Sequence, residues 1–233
     1  MTAGGALQAI IFDFDGVIAN SEPLHMRAFQ DTLAEAGITL THEDYYARYL
    51  GFDDVGLVEA VAKDTGRAID TAGVTALVAR KGAVMQALMH SGLVLFPGAA
   101  EFIRTAAAAL PIAIASGALR HEIDEILEGA GLTPLFPVIV AAGDTPQSKP
   151  SPEPYRLAFE RLNRHSGGQL DPKRTVAIED SRWGLASAQG AGLRCVGVTN
   201  SYAAGDLPGA ELVVSGLGAL TLEMLYDLCS QGV

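Results

Sequence analysis

An α/β fold, a doubly wound parallel sheet carrying an inserted helical domain, is predicted for this 233-residue chain by three observations. Short apolar runs rich in β-branched residues recur along it. Helical patterns long enough to cross between parallel strands separate them, and residues 20–92 break the alternation.

Taken in order, the first run, AIIFDFD at 9–15, has no polar residue before Asp13, as a strand buried on both faces requires. Residues 20–92 contain no such run. Amphipathic patterns follow one another there, among them HMRAFQDTLAEAG at 25–37 and GVTALVARKGAVMQALMH at 73–90. This stretch reads as a helical insert. LVLFPG at 93–98 resumes the larger domain, which is therefore discontinuous: residues 1–19 with 93–233 form the core, and 20–92 the insert. A helix over 99–109 leads to the strand PIAIAS (111–116), one over 119–130 to PVIVAAG (137–143), and one over 152–164 to TVAIED (175–180). A last crossover over 182–191 precedes CVGV (195–198) and ELVV (211–214).

Composition narrows the function. A content of 49% hydrophobic residues is ample for a core, and the net charge of −11 (16 basic less 27 acidic residues) disfavours nucleic acid and anionic lipid as partners. The start of the chain lacks the basic region of a secretory signal, and the longest uncharged stretch, 82–100, is interrupted by Gln86, His90, Ser91, Gly92 and Pro97. A cytoplasmic protein without a membrane span is the expectation. Cys195 and Cys229, in no ligand or redox spacing, read as reduced thiols. Nothing sets the oligomeric state, for which a monomer is expected.

The chemistry begins with Asp13 and Asp15. Residues two apart in a strand share a face, and Gly16 turns the chain away, so both lie at the carboxyl end of the first strand, where doubly wound sheets bind ligands. Like charges about 4 Å apart repel by about 4 kcal/mol at an effective dielectric near 20, so the pair needs a counter-charge. The other strands deliver polar groups to the same edge: Ser116 and Gly117 after IAIA, Lys149 beyond PVIVAAG, and Glu179 and Asp180 after TVAI. Asp13, Asp15, Glu179 and Asp180 make a hard-oxygen donor set suited to Mg²⁺, with no soft ligand to favour zinc. With Lys149, Ser116 and turn N–H groups, such a pocket holds phosphate oxygens, one carboxylate attacking phosphorus and another protonating the leaving oxygen. Each residue alone has a plainer role, as turn former, helix cap or surface charge. Their shared position at strand ends gives the combination its weight.

The strings DFDGV (13–17), SG (116–117), SKPSPEPY (148–155) and IEDSRWGLASAQGAG (178–192) resemble the four motifs of the haloacid dehalogenase superfamily, and the insert resembles its helical cap. The subgroup it most resembles contains β-phosphoglucomutase and sugar-phosphate phosphatases, including xylulose-bisphosphate phosphatase. The resemblance implies that Asp13 is a nucleophile forming an aspartyl-phosphate and Asp15 the general acid and base. It implies Mg²⁺ held by the Asp13 carboxylate, the Asp15 carbonyl, Asp180 and Glu179. Ser116, Gly117 and Lys149 would bind the transferring phosphoryl group, and His25 would couple substrate binding to cap closure. A phosphatase acting on a small phosphorylated sugar is the leading expectation. A β-phosphoglucomutase-like mutase is the alternative, and an idle phosphometabolite-binding module a third.

Two departures favour hydrolysis over mutase action. Where the mutase pattern carries an Arg that grips a second phosphate, LGFDD at 50–54 has Asp54, expected to repel one. After Ser116 the mutase's Ser and Lys are replaced by Ala118 and Leu119, with Arg120 nearby. Arg80 and Lys81 are expected on a solvated helix face, and Trp183 in packing.

Overall fold

The computed structural model describes residues 7–49, 52, 54–89 and 94–230. Six parallel strands form one sheet in the order β3-β2-β1-β4-β5-β6. These are β1 (Ala9–Phe12), β2 (Ile112–Ala115), β3 (Val138–Val140), β4 (Thr175–Glu179), β5 (Arg194–Val198) and β6 (Leu212–Val214). The chain first winds outward from β1 to β3, then returns to the other side of β1 for β4 to β6. The topological switch therefore falls between β1 and β4. Register sets Phe12 level with Ile114 on one neighbour and Ile178 on the other, and the ladder continues as Asp13 N–H donates to the Ile178 carbonyl at 2.9 Å.

The chain divides into two compact units, residues 1–20 with 94–233 and residues 21–93. The sequence-based boundaries fall at 19/20 and 92/93, and residues 90–93 lie outside the described residues.

The larger unit has three layers. On one face of the sheet, Ala9, Ile11, Ala113, Ala115 and Ala177 pack against Tyr155, Ala158 and Leu162 of α7 (Glu153–His165) and Leu185 and Ala188 of α8 (Arg182–Gly190). The alternate residue Phe12 points to the other face, in edge contact with Phe102 of α5 (Ala99–Ala109) at 6.2 Å and with Phe136 at 6.0 Å. α6 (Arg120–Gly129) crosses between β2 and β3, and α9 (Leu222–Ser230) follows β6. Every residue of β1, β2 and β4 is buried, which is why their sequences run apolar without alternation.

The smaller unit is helical: α1 (Glu22–Glu35), a short α2 (His42–Asp44) continued by a π turn (Tyr45–Tyr49), α3 (Asp54–Asp64) and α4 (Thr71–Met89). Its own core joins Phe29, Leu33, Ile38, Tyr45, Tyr49, Leu57, Val58, Val61 and Val74. No helix among the described residues is long and apolar enough to cross a membrane.

Candidate active site

Asp13 follows the last residue of β1, and the chain then folds into a tight turn in which the Phe14 carbonyl accepts from the N–H groups of Ile18 and Ala19. Gly16 makes that turn at φ +79°. A side chain there would be strained, and its Cβ would lie 1.9 Å from Asp180 Oδ2, so the first motif and the fourth are in direct apposition. Asn200 and Ser201, in the loop after β5, tie the two together. Asn200 Nδ2 donates to the Gly16 carbonyl at 2.7 Å, and the Ser201 hydroxyl donates to Asp180 Oδ2.

Lys149 lies between two of the carboxylates. Its ammonium donates to Asp13 Oδ1 at 2.7 Å and to Glu179 Oε1 at 2.6 Å. Tyr155, in the first turn of α7, donates its hydroxyl to the same Glu179 oxygen at 3.0 Å, and its ring centroid lies 4.8 Å from the Lys149 ammonium. The other Glu179 oxygen accepts from the N–H groups of Asp180 and Ser181 and from the Ser181 hydroxyl, at 3.1–3.3 Å. Ser181 in turn caps α8 by accepting from Gly184 N–H at 3.1 Å. Gly184 is required for space: a Cβ on it would fall 1.8 Å from Glu179 Oε1.

Asp13, Glu179 and Asp180 each offer a carboxylate oxygen within 4.8 Å of the others, and all three are buried. Burial pushes Asp13 well above the usual carboxylate range, and the charges of Glu179 and Asp180 add to it against the pull of Lys149. Asp180 is pushed up to about 6 by burial and by Glu179, against the Ser201 hydrogen bond and Lys149. Burial disfavours the charge on Lys149, but Asp13 and Glu179 outweigh it and hold its ammonium above the ordinary value. One ammonium facing three buried carboxylates leaves excess negative charge. That imbalance and the all-oxygen donor set fit a divalent cation such as Mg²⁺. The Asp15 carboxylate is not one of this group.

Ser116, buried at the end of β2, receives Ala118 N–H on its hydroxyl at 3.0 Å and does not cap α6, whose N-cap is Leu119. The space beside Gly117 is open: a Cβ there would meet nothing within 4 Å. The structure therefore joins Asp13, Lys149, Glu179 and Asp180 by direct contact or close approach. Sequence reasoning missed Asn200, Ser201 and the role of Tyr155, although Tyr155 ends the SKPSPEPY string.

His25 belongs to the helical unit and has its own partners there. Its Nδ1 lies 2.9 Å from the Lys81 ammonium, which also donates to both Asp54 oxygens at 2.9 and 3.0 Å and lies 4.8 Å from the Phe29 ring centroid. Burial, then the Lys81 charge, pushes His25 down to about 4 against the pull of Asp54. Three expectations are corrected here. Lys81 is 2% exposed, so it does not lie on a solvated face; its hydrocarbon stem and charge are held by Phe29, His25 and Asp54. Asp54 is not an uncompensated repeller, because Lys81 neutralises it; Leu50, Gly51 and Asp53 of the same stretch lie outside the described residues. Trp183 is 43% exposed, with Arg182 above its ring at 4.2 Å and Tyr202 at its edge, so it is not a packing residue. Arg80 is on a solvated face, paired with Glu35, and Arg120 pairs with Asp124 one turn away.

A family model described as haloacid dehalogenase-like hydrolase matches residues 7–192. Protein CbbY of Rhodobacter capsulatus is 35% identical over 233 residues, covering 95% of this chain and 99% of that protein. A phosphorylated carbohydrates phosphatase of Thermotoga maritima is 30% identical, covering 84% of this chain and 87% of its own. Among solved structures, CbbY from Rhodobacter sphaeroides in complex with xylulose-(1,5)bisphosphate matches with a TM-score of 0.74 at 29% identity, covering 91% of this chain and 95% of that one.

Proposed function

Because this chain belongs to the haloacid dehalogenase-like hydrolases, we propose that it is a Mg²⁺-dependent phosphatase that hydrolyses a small phosphorylated sugar through an aspartyl-phosphate. The observation that carries this reading is the Lys149 ammonium held between Asp13 and Glu179 in a buried cluster with excess negative charge. A relative that is a phosphorylated carbohydrates phosphatase and a structural neighbour in complex with xylulose-(1,5)bisphosphate support the substrate class.

In this mechanism Asp13, oriented by Lys149 on Oδ1, attacks phosphorus with a carboxylate oxygen as the bond from phosphorus to the sugar oxygen breaks. Asp15 gives its proton to that leaving oxygen. It then takes a proton from the water that attacks the aspartyl-phosphate, so that inorganic phosphate leaves and both aspartates return to their starting states. Lys149, Ser116 and the open backbone at Gly117 hold the phosphoryl oxygens. Asp13, Asp180, Glu179 and the Asp15 carbonyl would hold Mg²⁺, which supplies neutralisation of charge on the phosphoryl group. Residues 1–19 with 93–233 are then the catalytic core and residues 20–92 the cap that selects the substrate, in a cytoplasmic enzyme.

Ala118 and Leu119 favour hydrolysis over the mutase alternative, since neither can grip a second phosphate as Ser and Lys can. The test is phosphate release from p-nitrophenyl phosphate and from a panel of sugar phosphates that includes β-glucose 1-phosphate with a trace of glucose 1,6-bisphosphate. Release that requires Mg²⁺ and stops with EDTA is expected. Formation of glucose 6-phosphate faster than phosphate release would promote the mutase, and no turnover of any phosphomonoester would sink both.

A further inference from the structure

Tyr155 is among the largest fully buried side chains of the protein, yet its polar end points at the site. A buried tyrosine in a helix that only covers a sheet face needs no charged partner, and Phe would fill the same space. Here the hydroxyl donates to Glu179 Oε1 at 3.0 Å, on the oxygen that also receives Lys149 at 2.6 Å, while the ring face lies 4.8 Å from the same ammonium. Glu179 accepts five hydrogen bonds from described residues, two on Oε1 and three on Oε2. Its Oε2 is fixed by its own loop, through Asp180 and Ser181. Its Oε1 is fixed from across the fold, by Lys149 and Tyr155.

We propose that Tyr155 is a positioning residue: through its hydroxyl on Glu179 and its ring beside the ammonium, it fixes Lys149 at the point where that ammonium meets Asp13 and the phosphoryl group. Lys149 sits in the SKPSPEPY loop outside regular structure, so nothing in its own backbone ladder sets the ammonium's position. The ring beside Nζ and the oxygen opposite it do. Without the hydroxyl, Glu179 Oε1 loses one of its two distal anchors and can swing with the lysine. A hydrogen bond to a charged group is worth roughly ten- to a hundredfold in an equilibrium, and a loosened anchor should pass on the lower part of that range.

The inference rests on the phosphatase reading for its consequences but not for its geometry, and two readouts separate them. Tyr155→Phe keeps the ring and the packing; Tyr155→Leu removes the ring as well. The first readout is the acetylation rate of Lys149 by acetic anhydride, mapped by mass spectrometry, which needs no catalysis. Tyr155→Phe should raise it about tenfold, and Tyr155→Leu further. The second is calorimetric binding of inorganic phosphate with Mg²⁺ present. Affinity should fall about tenfold in Tyr155→Phe, in step with kcat/KM. Acetylation of Lys149 in Tyr155→Phe within twofold of the parent would overturn the proposal, whatever the enzyme does. A parent protein that binds no phosphate would overturn the phosphatase reading and leave the acetylation result to decide the role of Tyr155.

Discussion

Asp54 holds its carboxylate 2.9 Å from the ammonium of Lys81, and the two sit in very different surroundings: the lysine side chain is 3% exposed, the aspartate 39%. Removing one partner of a buried pair costs most when the charge left behind cannot reach water. Asp54→Ala strands a buried ammonium and should cost about 2–4 kcal/mol, whereas Lys81→Met leaves a carboxylate that water already reaches and should cost about 1 kcal/mol. The double variant should return close to Lys81→Met. Urea unfolding of the three variants checks the order, and equal losses would mean the pair is not the anchor of this cluster.

Asp13→Asn should bring turnover to background, because an amide is a poor nucleophile and its nitrogen gives Lys149 no anion to meet. Asp15→Asn should behave otherwise. The Asp15 carboxylate lies outside the acidic group, so Mg²⁺ binding by calorimetry should be retained while the rate falls by about 10² to 10⁴, the usual range for proton transfer. Loss of Mg²⁺ affinity as the main defect of Asp15→Asn would reverse these assignments.

Asp180→Ala should raise the Mg²⁺ concentration for half-maximal activity by more than the roughly 10- to 100-fold that outer partners of a metal site cost. Ca²⁺ should inhibit, since its longer bonds and larger ligand number would displace the attacking carboxylate. The check is a metal titration of parent and variant after EDTA treatment. Unchanged Mg²⁺ dependence would remove Asp180 from the site.

His25 sets a pH dependence of stability. Its folded value, about 4, lies below the ordinary 6.5, so between these limits the unfolded chain binds more protons than the folded one. The stability tied to neutral His25 is whole above pH 6.5 and falls as the pH drops toward 4, by about 3 kcal/mol at most. The raised values of Asp13 and Asp180 act with the opposite sign in acid, so the comparison to make is between parent and His25→Gln. Thermal unfolding from pH 4 to 7 should show a shallower acid loss in the variant. Parallel curves would mean that His25 is already solvated.

The acidic cluster and Lys149 were legible because a parallel sheet aligns all its carboxyl ends, and a polar residue just after an apolar run marks that edge. Ser116 and Gly117 follow β2 directly, at that same edge. Tyr155, Asn200 and Ser201 were not, since they reach the site through α7 and the loop after β5, by contacts no local pattern encodes. Lys81 was misjudged because α4 is apolar on several sides, so its pattern does not say which face is covered. Asp54 was misjudged with it, because its partner lies 27 residues away. The exposure of Trp183 had no signal: an aromatic after a helix cap is as compatible with a core as with a surface.

The topology also sets an order in time. Asp13 leaves the ribosome 136 residues ahead of Lys149, which at about 5–20 residues per second is roughly 7–27 s. Until β2 (Ile112–Ala115) is made its strand has neither neighbour, and β4 (Thr175–Glu179) comes only after Lys149, so one edge of the apolar AIIF segment, of the kind that chaperones bind, stays uncovered. A nascent or prematurely terminated chain thus displays the aspartate without the lysine that orients it. Such fragments expose apolar strand surface and are prone to aggregate.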